Sequence, residues 1–138
     1  MSVLLDTGFV LALAYSDDAR SPRAAEMYRE VAEGRHGAAF VTDYIVDEAL
    51  TLIWVRTHHS SVVRHLAALL LDPEPANRPG RLVFVGERDF QEAARLHGRM
   101  HDRLSFTDCS TLAVMAERGI TELATFDRGF DGLCEVFR

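Results

Sequence analysis

The stretch Val3-Leu4-Leu5-Asp6-Thr7-Gly8 places three apolar residues directly before an acid, a hydroxyl and a glycine. A short apolar run that stops at polar residues is typical of a buried strand. The apolar residues from Phe9 to Tyr15 then predict a helix, so a strand leads almost directly into a helix. Buried strands joined to helices in this way are typical of parallel sheets covered by helices.

The same alternation continues along the chain. Short apolar runs predict further strands at 38–41, 82–85 and 123–126, and leave a fifth strand open at 134–137. Periodic segments with caps and stop signals predict helices from Ser21 to about Glu33, Tyr44 to about Arg56, Ser60 to Leu71, Glu87 to His101 and Ser105 to Gly119. We therefore expect an α/β fold of three layers, in which helices flank a central, mainly parallel sheet of about five strands. The length fits a single domain spanning residues 1–138.

The composition excludes several functions. All 15 basic residues are arginines, so no lysine can bind a nucleotide phosphate in a P-loop, form a Schiff base or act as a general base. The 21 carboxylates give a net charge of −6, which argues against non-specific binding to nucleic acid or to anionic membranes. Cys109 and Cys134 lack the spacing of a zinc site, and we expect them to be reduced. We found neither a signal peptide nor a membrane-spanning stretch, so we expect a cytoplasmic protein.

Four acids stand where function concentrates in parallel α/β folds, at the carboxyl ends of the strands. Asp6 follows the first predicted strand and Asp127 the fourth, Asp108 lies in the first turn of the helix before the fourth strand, and Glu48 lies one turn inside the helix after the second. If the first and fourth strands are neighbours, these acids converge. Crowded carboxylates repel one another unless a cation intervenes, and a hard divalent ion is the natural counterion. Such an ion suits phosphodiester hydrolysis.

Each of these acids also has a structural interpretation. Asp6 is suited to be a helix N-cap, Asp108 a first-turn partner of the helix dipole, Asp127 an Asx-turn residue and Glu48 an exposed helical acid. These structural roles explain each position taken singly. They explain the presence of all four acids at these positions less readily.

The chain resembles the PIN-domain ribonucleases, and specifically the VapC-type toxins of bacterial and archaeal toxin–antitoxin pairs. The resemblance covers essentially the whole chain and is carried by four motifs in order: Leu5-Asp6-Thr7, Thr42-Asp43-Tyr44-Ile45-Val46-Asp47-Glu48, Leu104-Ser105-Phe106-Thr107-Asp108-Cys109 and Thr125-Phe126-Asp127-Arg128-Gly129-Phe130. Each motif is weak alone, whereas their order and spacing together are specific.

The resemblance implies a PIN-like fold with a five-stranded parallel sheet and an endoribonuclease that uses one or two Mg²⁺ or Mn²⁺ ions. It implies Asp6, Glu48, Asp108 and Asp127 as the metal-binding acids, and Thr7 as the small hydroxyl residue that helps to position metal or water. Cleavage would leave a 5′-phosphate and a 3′-hydroxyl. The implied partners are an RNA substrate, a small cognate antitoxin and a second copy of the chain in a homodimer.

Several neighbouring residues leave alternatives open. Asp43 and Asp47 precede Glu48, so the acid of this helix is open to misassignment by one turn, and Asp131 is either an outer contact of the site or a turn residue. Arg56, Arg103 and Arg128 are either phosphate contacts or solvated surface residues.

The remaining aromatic and imidazole residues point more to packing than to chemistry. His97 and His101 have the i, i+4 spacing of a shared metal, but the glutamate of the H-E-x-x-H motif is missing. Trp54, with Tyr44 on the same helix, is interpreted as core or dimer packing rather than as a base-stacking platform.

Two other functions compete with the nuclease. A phosphoaspartyl phosphatase or receiver domain would use Asp6 as the nucleophile, but these families need a lysine, and the phosphatases need a second acid where Gly8 stands. A catalytically inactive PIN-like binding module is the other alternative, and retention of all four acids argues against it.

Overall fold

The structure is a computed structural model that describes all 138 residues. Five strands form one sheet in the order β3-β2-β1-β4-β5, and every neighbouring pair is parallel. The strands are β1 (Ser2–Leu5), β2 (Ala38–Thr42), β3 (Arg81–Val83), β4 (Glu122–Ala124) and β5 (Glu135–Phe137). The parallel sheet, including the strand left open at 134–137, confirms the predicted α/β fold.

Six helices flank the sheet and follow the predicted segments to within a few residues. They are α1 (Thr7–Ala14), α2 (Ser21–Ala32), α3 (Asp43–Thr57), α4 (Ser60–Leu70), α5 (Glu87–Met100) and α6 (Phe106–Arg118), with short 3₁₀ turns at Pro75–Asn77 and Arg128–Phe130. None of these helices combines the length and the apolar character needed to cross a bilayer.

Burial explains why the opening stretch determines the fold. Val3, Leu4 and Leu5 are fully buried in β1, which lies at the centre of the sheet between β2 and β4. Phe9 on α1 and Phe130 are the largest of the fully buried side chains. Burying side chains of this size stabilises the fold by roughly 1.5–3 kcal/mol each, so β1 and α1 together anchor the core.

Helix ends are fixed by the caps that the sequence indicated. The Thr42 side chain accepts a hydrogen bond from the Ile45 amide at 3.1 Å and so caps α3. Ser105 and Asp108 form a reciprocal capping box at the start of α6. Gly119 ends α6 with φ of 64°, a left-handed conformation that glycine adopts without the steric cost of a Cβ. The first turns of α3 and α6 are therefore held firmly at the carboxyl edge of the sheet.

Three predicted details differ from the structure. β4 ends at Ala124 rather than at Phe126. β3 ends at Val83 rather than at Val85, because the Val85 amide donates to the carboxylate of Asp43 at 2.8 Å instead of to a neighbouring strand. Trp54 is not a core residue, since 45% of its surface is exposed and its ring contacts only His58 edge-on at 5.2 Å among the aromatic residues. It points outward because the buried positions of α3 are Ile45, Ala49 and Ile53.

Candidate functional site

Asp6 follows the central strand β1 and is one of the few buried charged residues, with 4% of its surface exposed. Its Oδ2 atom accepts a hydrogen bond from the Thr125 hydroxyl at 2.7 Å, whereas its buried Oδ1 atom has no hydrogen-bond partner. Asp6 stands at the N-cap position of α1, but its side chain makes no capping hydrogen bond. Asp6 is thus the N-cap residue of α1 by position, as predicted, but capping does not explain the burial of its side chain.

Thr7 adds a second unpaired oxygen beside the first. Its hydroxyl is buried at the first position of α1 and also lacks a hydrogen-bond partner. Leaving a buried polar group unsatisfied costs about 1–3 kcal/mol, and such groups are rare in native proteins. Two of them on adjacent residues, Asp6 and Thr7, indicate a position that is completed by something other than protein.

The pKa of Asp6 also indicates that a positive charge is missing from this position. Burial, together with the nearby charges of Asp108 and Glu48, raises the pKa of Asp6 from 3.8 to about 7, against the opposing hydrogen bond from Thr125. Without a compensating cation, the Asp6 carboxyl group is therefore about half protonated at neutral pH.

Asp108 has both a structural and an electrostatic relation to the site. Its carboxylate accepts from the Ser105 amide at 2.9 Å, and its own amide donates to the Ser105 hydroxyl at 3.1 Å. Burial, joined by the charges of Glu48 and Asp127, raises the pKa of Asp108 even though the bonds to Ser105 oppose the shift. The cap therefore fixes the direction of Asp108 without removing its carboxylate from the cluster.

Asp127 and Glu48 complete the group of four acids. Asp127 Oδ1 accepts from the Gly129 amide at 2.7 Å, which confirms its interpretation as a turn residue and holds the carboxylate where β4 leaves the sheet. Glu48 is half-buried on α3, while its neighbour Asp47 is exposed. Asp43 is engaged with the Val85 amide, so Glu48 is the acid of α3 that faces the other three.

These side chains line one cleft of about 460 Å³ at the carboxyl edge of the sheet. Its wall contains all the predicted site residues: Asp6, Thr7, Glu48, Asp108 and Asp127. We call it the acidic cleft. No three His, Cys, Asp or Glu side chains anywhere in the chain are close enough to form a ready-made metal cluster. The acids thus share a cleft without forming a closed ligand shell.

The donors of the acidic cleft nevertheless fit a hard divalent cation. They are carboxylate and hydroxyl oxygens, and Mg²⁺ usually keeps several waters while binding directly to one or two carboxylates. The unpaired oxygens of Asp6 and Thr7 offer such a partial set, and a cation would offset the burial and the repulsion that raise the pKa of Asp6. Neither His97 nor His101 belongs to this set, because the His97 ring packs 5.7 Å from Phe106.

Of the three candidate arginines, the structure brings two to the acidic cleft. Arg56 and Arg128 line it, whereas Arg103 donates to the Asp131 carbonyl at 2.5 Å and lies outside. Asp131 also lies outside the cleft, and its hydrogen bond and ion pair with Arg138 hold the pKa of Asp131 below its usual range.

Two residues of the site were missed by the sequence interpretation. Thr125 donates to the carboxylate of Asp6, and the hydroxyl oxygen of Thr125 accepts from the Asp127 amide at 3.0 Å. Arg20 lines the acidic cleft from the loop before α2. A hydroxyl residue at the end of the strand paired with β1 was the available signal for Thr125. For Arg20, the available signal was Asp18, an acid two residues earlier in the chain with which an arginine can form an ion pair.

Comparison with known proteins identifies a family model that matches the chain and solved structures that share its fold. The PIN domain family model matches residues 3–136. VapC20 of Mycobacterium tuberculosis, described as a sarcin-ricin loop cleaving toxin, is similar with a TM-score of 0.74 and 26% identity, over 94% of this chain and 91% of that chain. FitAcB from Neisseria gonorrhoeae, at 18% identity, shares the fold with a TM-score of 0.68, over 99% of this chain and 96% of that chain. No curated protein sequence matches the chain.

Proposed function

The chain belongs to the PIN domain family, and from this premise we propose that it is a metal-dependent endoribonuclease and the toxin of a toxin–antitoxin pair. The likeness to VapC20, a toxin described as cleaving the sarcin-ricin loop, supports RNA as the substrate class. The observation that carries the proposal is the pair of buried, unpaired oxygens on Asp6 and Thr7 inside a cleft lined by four acids.

The four acids of the cleft are the proposed metal ligands. Asp6, Glu48, Asp108 and Asp127 hold one or two Mg²⁺ or Mn²⁺ ions, and Thr7 orients a ligand beside Asp6. When bound, such an ion lowers the pKa of a water molecule and offsets negative charge on the phosphoryl group that is attacked. The protein's own contribution is to hold the carboxylates in fixed directions. Ser105 does this for Asp108, Gly129 for Asp127 and Thr125 for Asp6.

The arginines at the rim of the cleft supply positive charge that can bind the phosphates of RNA. Arg56 makes no ion pair within the chain, and Arg128 contacts only the exposed Asp131 at 3.7 Å. Guanidinium groups bind phosphates in a bidentate manner. An RNA strand that lies across the cleft therefore meets positive charge beside the acids, despite the net charge of −6.

The direct test is cleavage of a labelled RNA by the purified protein, with Mg²⁺ or Mn²⁺ and with chelator. We expect the metal-dependent cleavage to leave a 5′-phosphate and to be lost in Asp6→Asn and Asp108→Asn, both of which keep the shape of the side chain. Metal binding measured by calorimetry gives a readout that does not depend on activity. Undiminished cleavage by either variant would refute the assignment.

The same experiment separates the competing functions. A catalytically inactive PIN-like module would fold and would leave RNA intact under all metal conditions. A phosphoaspartyl protein would form a covalent phosphoryl adduct on Asp6, but no lysine exists in this chain to stabilise the adduct. Co-expression with a small antitoxin encoded beside the toxin should give a stable complex and relieve growth arrest. Light scattering of the purified toxin tests the proposed homodimer.

A further inference from the structure

Arg20 is held by its neighbour Asp18 through three hydrogen bonds. The Arg20 amide donates to Asp18 Oδ1 at 2.8 Å, while its Nε and Nη2 atoms donate to the two carboxylate oxygens at 3.3 Å each. These bonds hold the pKa of Asp18 below its ordinary value, although partial burial acts in the opposite direction. The guanidinium group is thus held along one edge by a carboxylate that stays ionised at neutral pH.

The face of the same guanidinium group rests on Phe126. The Arg20 Cζ atom lies 5.3 Å from the centre of the Phe126 ring, which is within the range of a cation–π contact. Phe126 directly precedes Asp127 and lines the acidic cleft. Asp18 and Phe126 together constrain both the edge and the face of the guanidinium group, so its direction is set before any ligand arrives.

One edge of the guanidinium group remains free. Arg20 Nη1 has no hydrogen-bond acceptor among the side chains, and it is the nearest atom that a Cβ on Gly8 would meet, at 3.8 Å. Gly8 also lines the acidic cleft and follows Asp6 and Thr7 in the chain. The two N–H groups of Nη1 therefore lie at the wall of the cleft beside the metal-binding candidates.

The charge on this wall favours an anion. Arg56, whose charge also acts on Asp18, lines the same cleft and has no ion-pair partner of its own. Arg20 is paired with Asp18 whereas Arg56 is unpaired, so this wall of the cleft keeps a positive charge.

We propose that Arg20 is a phosphate-positioning residue, which uses its free Nη1 edge to hold a backbone phosphate of bound RNA next to the phosphodiester that is cleaved. This inference rests on the proposed function and assigns a substrate contact at the same site. Asp18 and Phe126 preorganise the guanidinium group, so little side-chain entropy is lost when the phosphate binds. The contact positions the strand and carries no base specificity.

Two measurements test the role of Arg20. Steady-state cleavage of an RNA oligonucleotide compares the wild type with Arg20→Ala, Arg20→Lys and the matched control Arg29→Ala, which removes an arginine from the far end of α2. Fluorescence anisotropy in an Asp108→Asn background, which prevents turnover, gives Kd for the same RNA between about 50 and 200 mM salt.

For Arg20→Ala we expect KM to rise by roughly ten- to a hundredfold, which is the loss of affinity expected from removing one charged hydrogen bond. The change in kcat should be smaller than the change in KM. The slope of log Kd against log salt should become shallower by about 0.7, as expected for one lost phosphate contact on a single strand. Arg20→Lys should keep the salt slope because it keeps the charge, but should bind more weakly because the fork is lost. Arg29→Ala should match the wild type.

A salt slope and KM that stay at wild-type values in Arg20→Ala overturn the inference. If Arg20→Ala unfolds, Arg20→Lys and Asp18→Asn decide in its place, since both leave Phe126 covered. Asp18→Asn frees the guanidinium group and should raise KM, whereas an unchanged KM in both variants overturns the proposal. If the wild type itself neither binds nor cleaves RNA, the proposed function fails instead.

Discussion

The hydroxyl of Thr125 joins the two acidic ends of neighbouring strands, because it donates to Asp6 Oδ2 at 2.7 Å and accepts from the Asp127 amide at 3.0 Å. Thr125 is fully buried, and 119 residues separate it from Asp6 in the chain. The bond is charge-assisted when Asp6 is ionised, so it favours the ionised form of this carboxyl group. A single hydroxyl thus fixes the direction of the buried Asp6 carboxylate and lowers its pKa against the effect of burial.

Replacing Thr125 with valine should raise the pKa of Asp6 further, since it removes the hydrogen bond that opposes burial. We expect the acid limb of the pH profile of kcat/KM to move upward by about one pH unit, which corresponds to one lost hydrogen bond. Thr125→Ser keeps the hydroxyl and serves as the control. An identical pH profile in Thr125→Val would show that the bond does not control Asp6.

The stability of the metal-free protein should fall as the pH rises from about 4 to about 7. Asp6 keeps its proton up to about pH 7 when folded, but loses it near 3.8 when unfolded, so the folded state binds more protons in this window. Asp6→Asn stays neutral and should be more stable than the wild type at pH 8 by about 4 kcal/mol, while the two converge near pH 4. Urea unfolding in chelator at both pH values measures the difference. An Asp6→Asn protein that is less stable at pH 8 contradicts the raised pKa.

Glu48 and Asp47 provide a matched pair on adjacent positions of α3. Glu48→Gln should lower metal-dependent cleavage by at least roughly a hundredfold, because it removes a carboxylate from the acidic cleft. Asp47→Asn should retain full activity, since Asp47 is exposed and lies outside the cleft. RNA cleavage and metal titration of the two variants decide between them. The opposite pattern would move the assignment to Asp47.

Metal binding should release protons in a pH-dependent way. A cation that binds to Asp6 displaces its proton, so close to one proton should be released at pH 6, about half at pH 7 and almost none at pH 9. Calorimetry in two buffers of different ionisation enthalpy measures this number. Asp6→Asn should bind metal more weakly and release fewer protons at pH 6 than the wild type. Equal proton release at pH 6 and pH 9 would place the ion away from Asp6.

The sequence predicted the positions of the acids because their placement follows from backbone topology. Apolar runs located the strands, and acids that follow strands or open helices meet at one edge of a parallel sheet. The contacts between side chains were not predictable in this way. The Thr125–Asp6 bond depends on β4 pairing with β1, and the contact between Arg20 and Phe126 depends on how a loop folds back over the cleft.

Trp54 shows a second limit of sequence interpretation. A large aromatic residue on an apolar helix suggested burial, but α3 turns a different stripe toward the core. Asp43 shows a third limit, since a carboxylate near the motif is engaged by the amide of Val85, 42 residues away. Only the tertiary structure separates an acid that supports a loop from one that faces the cleft.

The order of the strands also determines when the acidic cleft can form during synthesis of the chain. β4 is made after β1, β2 and β3, yet it occupies the place directly beside β1. A nascent chain that has emerged only through α5 still lacks Asp108, Thr125 and Asp127. A nascent chain at that stage therefore cannot assemble the acidic cleft, which is complete only after β4 has paired with β1.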